Sequence, residues 1–151
     1  MRRGVRLALD LGSVRTGVAR CDASATLSSP MAVWAVASAE AIAPLLSNAL
    51  NEDDVLEVLI GLPTALSGDQ GIAAENVRTI AVELKSLLPE VAFRLVDERL
   101  TTAAARKQLQ ASGYTTRTDR SLIDAASAAV LLEDALEAER RQGTAPGELL
   151  V

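Results

Sequence analysis

The chain has 151 residues, 49% of them hydrophobic, which is enough for one domain with a real core. Its 20 acidic and 15 basic side chains give a formal net charge of -5, arguing against a protein that coats nucleic acid indiscriminately. One cysteine, Cys21, and no histidine exclude an internal disulfide and a Cys/His zinc site, so any metal must be held by oxygen and a reducing, cytoplasmic setting fits best.

The start Met1-Arg2-Arg3 is basic, but the apolar run after it is broken by Arg6 and Asp10, so it does not read as a signal peptide, and no stretch reaches membrane-spanning length. Val5–Leu11 and Gly17–Cys21 read as two short strands joined by Gly12-Ser13-Val14-Arg15-Thr16, a tight reversal. Ala25–Val36, with Ser-Ser-Pro inside it, reads as a third, irregular edge strand. Ala39–Leu50 has the spacing of one helical face in Ile42, Leu45, Leu46 and Leu50. Val55–Gly61 is a nearly continuous apolar run of the kind buried in parallel sheets, and it leaves through Gly61-Leu62-Pro63 into a polar, glycine-containing loop, 64–71. A second helix starts at Ile72 and is stopped by Pro89.

Ala92–Val96 is another short strand, and Asp97-Glu98-Arg99-Leu100-Thr101-Thr102 leads from its end into an alanine-rich helix. Ser112–Arg120 is polar and reads as an exposed loop, Ser121 opens a last helix to about Arg141, and 142–151 reads as a flexible tail. Three opening strands followed by alternating helices and strands predict a single α/β domain over 1–141, a mixed five-stranded sheet with helices on both faces.

Asp10 is the residue in this pattern that most needs a reason, because an ionised carboxylate in an apolar strand costs several kcal/mol unless it is paired, hydrogen-bonded or bound to a cation. Glu98 at the end of the last strand and Asp124 in the first turn of the final helix are the other acids at element junctions. Converged, the three would form an all-oxygen site suited to Mg²⁺ or Mn²⁺, and two such ions roughly 4 Å apart support phosphodiester cleavage. Blander roles exist for each. Asp10 could be a solvated hairpin acid, Glu98 could pair with Arg99, and Asp124 stands where a capping-box acid after Ser121 belongs. Asp97 competes with Glu98, since side chains alternate along a strand and only one of the two can share the face of Asp10. Asn76 and Arg78, after the polar loop, could face substrate or solvent.

Four segments together resemble one family. Leu9-Asp10-Leu11-Gly12 with Arg15 and Gly17-Val18-Ala19, Ile60-Gly61-Leu62-Pro63 with Gly68, Asp97-Glu98-Arg99-Leu100-Thr101-Thr102, and Ile123-Asp124 with Ala126 and Ala129 are similar to the YqgF (RuvX) family of bacterial ribonuclease H-like nucleases, described as Holliday junction resolvase-like and as pre-16S ribosomal RNA processing nucleases. The resemblance spans nearly the whole chain. It implies a ribonuclease H-like fold, and it implies that Asp10, Glu98 and Asp124 are the catalytic, metal-binding acids, which favours Glu98 over Asp97.

In that reading Arg15, Arg99, Arg117 and Arg120 hold phosphates, and the partner is structured RNA or branched DNA. A two-fold symmetric junction would require a homodimer. The chain departs from many relatives in having Val14 and Ser121 at positions where a lysine is common and Ala65 where an asparagine is, so a weaker phosphate grip and a shallower salt dependence are expected. Two other readings compete: a fragment of an actin-like ATPase, in which Asp-x-Gly before a hairpin cradles phosphates, and a non-catalytic nucleic-acid-binding module. The first would need a second phosphate loop and an adenosine domain, for which no stretch is visible.

Overall fold

The computed structural model describes residues 1–63, 71–97 and 120–151. Three strands open the chain, β1 (Val5–Leu11), β2 (Thr16–Cys21) and β3 (Ser28–Trp34), followed by α1 (Ala39–Glu52), β4 (Val55–Leu62), α2 (Ile72–Leu87), β5 (Phe93–Asp97), α3 (Arg120–Gln142) and β6 (Glu148–Leu149). The predicted alanine-rich helix after Thr102, nearly all of the loop before Ser121 and most of the polar loop after Pro63 lie outside the described residues.

The strands form a mixed sheet in the order β3-β2-β1-β4-β5-β6. β1 pairs antiparallel with β2 and parallel with β4, and β4 pairs parallel with β5. Six strands, not five, are present among the described residues, and the sixth comes from the segment read as a tail. Arg94 and Leu95 pair with Leu149 and Glu148, and Leu150 N–H donates to the Phe93 carbonyl at 2.9 Å. A two-residue strand behind Pro146-Gly147 carries no hydrophobic period to betray it.

The two faces of β1 explain most of the architecture. Leu7 and Leu9 point into a core shared with Ile42 and Leu46 of α1 and Val77, Ala81 and Leu84 of α2. Ala8 points the other way, into a second core with Ala19, Leu59 and Val96 beneath Ala128, Ala129, Leu132 and Leu136 of α3. Helices therefore cover both faces, as predicted, with α1 and α2 on one and α3 on the other.

α1 begins at Ser38, whose side chain accepts from the Ala41 N–H at 3.2 Å. α2 closes where Lys85 Nζ donates to the Pro89 and Val91 carbonyls at 2.9 and 2.8 Å.

Strand parity puts Arg6, Ala8 and Asp10 on the α3 face, one small residue between two charged ones. Arg6 is 1% exposed and Nη2 donates to Glu139 Oε2 at 2.7 Å. Glu57, also buried, accepts from Arg2 at 2.7 Å and from Arg94 Nε at 2.8 Å, and Arg2 reaches Glu139 at 2.6 Å. Arg2, read from sequence only as part of a basic start, is thus the part-exposed member of an otherwise buried ion cluster that ties the C-terminal half of α3 to β1, β4 and β5.

Candidate functional site

The opposite end of the Arg6-Ala8-Asp10 row forms the site. Asp10 pairs with Gly17 across the antiparallel ladder, and Gly17 is where α3 comes down onto the sheet. A Cβ built on Gly17 would fall on the backbone of Asp124, inside contact distance of its carbonyl oxygen and carbon. Ala8 and Ala19 beneath Ala125, Ala128 and Ala129 continue the close approach. Small side chains on both surfaces bring the helix backbone against the strand. Asp124, in the first turn and a half of α3, is thereby carried to the cross-strand neighbour of Asp10.

The electrostatics report the same proximity. Burial pushes the Asp10 carboxyl up from 3.8 to about 6, and the nearby negative charge of Asp124 adds to the rise. Arg15, in the β1–β2 turn, places Nε 3.2 Å from Asp124 Oδ2, with both side chains about one-third exposed. The turn is held by the Gly12 N–H donating to the Arg15 carbonyl at 2.8 Å. Asp10 and Asp124 were singled out from sequence as two of three converging acids, and the structure brings these two together.

Arg15 stands beside them, engaged with a carboxylate. Glu98, Arg99 and Arg117 lie outside the described residues, and Arg120 is the first residue of α3. Asp97 has the strand parity of Phe93 and Leu95, which pack on the α1–α2 side, whereas Val96 packs with Ala8 under α3. The face that carries Asp10 is therefore that of Val96.

Arg78 resolves to a structural part, with Nη1 donating to Glu148 of β6 at 2.9 Å, and Asn76 is exposed. The close packing at Gly17 was missed from sequence, although the alanine-rich face of the last helix was its signal.

Two carboxylates, one of them half-buried and unfavourable as an anion, form an all-oxygen donor pair that suits a hard divalent cation. Among the described residues no group of three or more Asp, Glu, His or Cys side chains assembles as a metal site. An open groove of about 600 Å³ along the far half of α3, lined by Val96, Asp134 and Arg141 among others, includes neither Asp10 nor Asp124.

The RuvX family, described as Holliday junction resolvase, matches residues 4–138. This chain belongs to that family. RuvX relatives provisionally named pre-16S rRNA nuclease include one from Streptomyces avermitilis, 44% identical over 148 residues, covering 98% of this chain and 95% of the relative. A second, of the same name, from Streptomyces coelicolor, is 43% identical and covers 98% and 89%. Among solved structures, Thermus thermophilus RuvC in complex with Holliday junction substrate superposes with a TM-score of 0.58 at 16% identity, covering 97% of this chain and 99% of that one. That likeness identifies the fold of this RuvX chain as that of RuvC, ribonuclease H-like as expected. Among the described residues no helix is long and apolar enough to cross a membrane.

Proposed function

We propose that this protein is a divalent-metal-dependent endonuclease that hydrolyses phosphodiester bonds in structured RNA, acting at the 5' end of pre-16S rRNA. The observation that carries this reading is the packing of α3 on Gly17, which sets Asp124 beside a half-buried Asp10 whose carboxyl is pushed up to about 6. Family membership and the names of its relatives supply the reaction class.

Asp10 and Asp124, with Glu98 as the third acid, are the residues that would hold the ions. A Mg²⁺ or Mn²⁺ ion held there would supply Lewis-acid chemistry, lowering the pKa of a bound water and offsetting charge on the phosphate oxygens. The chain's own contribution is geometric and electrostatic. β1 and α3 fix two oxygen donors on rigid elements, the apolar floor of Ala8 and Ala19 keeps water from the buried side of Asp10, and Arg15, Arg99, Arg117 and Arg120 provide cations for phosphates.

The test is cleavage of a 5'-extended 16S rRNA precursor with Mg²⁺, Mn²⁺ or EDTA, beside Asp10→Asn. Metal-dependent cutting lost in Asp10→Asn supports the reading, and binding without cutting under every condition refutes it. The relation to the RuvC fold and the family description favour a second substrate, a four-way DNA junction acted on by a homodimer, and the same assay with that junction distinguishes the two.

A further inference from the structure

Arg6 and Arg15 each meet an acid of α3, and they are held in opposite ways. Arg6 is 1% exposed, and its guanidinium donates to the Gly4 carbonyl at 2.9 Å, the Arg2 carbonyl at 2.9 Å and Glu139 at 2.7 Å. It has no freedom to leave. Arg15 has its backbone fixed by the Gly12–Arg15 turn, where a Cβ on Gly12 would stand 2.7 Å from the Arg15 carbonyl oxygen. Its side chain, by contrast, is about one-third exposed and touches Asp124 through Nε at 3.2 Å, outside the range of a strong charge-assisted hydrogen bond. An exposed single contact of this kind is cheap to exchange.

The position explains why an exchangeable cation is there. Asp10 and Asp124 are like charges at one corner, and without a bound ion one of them needs a counter-charge. A divalent cation entering between them offers both carboxylates more than a half-solvated guanidinium does. It leaves Arg15 on the rim of the site with its charge uncompensated, where a phosphate ester is the chemistry it fits.

We propose that Arg15 is the resident counterion of the acid pair, that it releases Asp124 when a divalent cation binds, and that the released guanidinium then grips a phosphate of the nucleic acid. This rests on the reading of Asp10 and Asp124 as cation ligands. It makes cation occupancy a condition for phosphate capture at this position, so that the cation-free site does not hold substrate unproductively.

The experiment compares the intact wild-type chain and Arg15→Gln in binding a labelled RNA hairpin with a single-stranded 5' extension, titrated with NaCl, once in EDTA and once in Ca²⁺. In EDTA the two proteins should show the same slope of log affinity against log salt, because Arg15 is committed to Asp124. In Ca²⁺ the wild-type slope should be steeper by about one phosphate contact, roughly 0.7 to 0.9, and Arg15→Gln should not follow. An equal difference in both conditions, or none in either, overturns the proposal, as does failure of the wild type to bind the hairpin.

Mn²⁺ binding followed by electron paramagnetic resonance in the absence of RNA separates the layers. Wild type and Asp10→Asn binding Mn²⁺ equally would refute the acid assignment itself. Mn²⁺ binding lost in Asp10→Asn, with flat slope differences, would refute only the part given to Arg15. Arg15→Gln should bind Mn²⁺ several-fold more tightly than wild type, and unchanged or weaker binding counts against the exchange.

Discussion

Replacing Gly17 by alanine adds one methyl group at the place where α3 touches the sheet. The new Cβ would overlap the carbonyl of Asp124, a backbone atom that cannot rotate aside as a side chain can, and it would crowd the Ala125 nitrogen at 3.0 Å. Restoring van der Waals contact requires the start of α3 to lift by on the order of 1 Å, and overpacking of this kind costs about 1–3 kcal/mol. The helix is tied elsewhere by the Arg6–Glu139 pair and by Leu132 and Leu136, so the fold should survive with a lowered urea midpoint.

The site should suffer more than the fold. A misplacement of about 1 Å can cost on the order of 100-fold in rate, and Asp124 moves directly. Cleavage of precursor RNA and Mn²⁺ affinity should both fall well beyond the fraction unfolded, which circular dichroism measures on the same samples. Gly17→Ala with wild-type Mn²⁺ affinity and cleavage would refute the claim that this contact positions Asp124.

Asp10 also sets a pH signature. A carboxyl titrating near 6 instead of 3.8 is ionised at neutral pH at a cost of about 3 kcal/mol. The folded chain binds that proton more tightly than the unfolded one, so this penalty is absent at low pH and grows as pH rises from about 4 to about 6. In EDTA, Asp10→Asn should match wild type in urea at pH 4 and exceed it by up to about 3 kcal/mol at pH 7.5; equal stability at pH 7.5 would count against the buried, charge-opposed carboxylate. Glu139→Ala leaves Arg6 buried without its closest carboxylate and should cost about 3–5 kcal/mol, with the Arg6→Met/Glu139→Met pair recovering much of it in a double-mutant cycle. Gly147→Ala, at φ +73° with its Cβ driven against the Leu95 carbonyl, should cost at least about 1 kcal/mol and speed amide exchange in β6, read by hydrogen-exchange mass spectrometry.

Much of the architecture could be read from periodicity. The alternation in Val5–Leu11 already separates Leu7 and Leu9 from Ala8 and Asp10, and the helical spacings in 39–50 and 72–88 correspond to α1 and α2. Asp10 was legible because an acid in an apolar strand is conspicuous, whereas Asp124 stood out only as an acid at an element junction and was joined to Asp10 by the family resemblance. The ion cluster was not, since Arg6 and Glu57 appear in sequence only as interruptions of apolar runs and Arg6 lies 133 residues from Glu139. Gly17 was read as the start of the second strand and as part of the family segment Gly17-Val18-Ala19, but its reason is a tertiary contact that local spacing does not encode. β6 was lost because two residues give no period and Pro-Gly is the composition of a tail.

The salt-linked cluster beneath α3 has a consequence for synthesis. Arg6 and Glu57 leave the ribosome in the first part of the chain, while Glu139 follows some eighty residues after Glu57. Until α3 emerges, the face of the sheet that carries Arg6 is uncovered and its guanidinium keeps its water. The seating of the last helix therefore does two things at once: it buries Arg6 beside Glu139 and delivers Asp124 to Asp10.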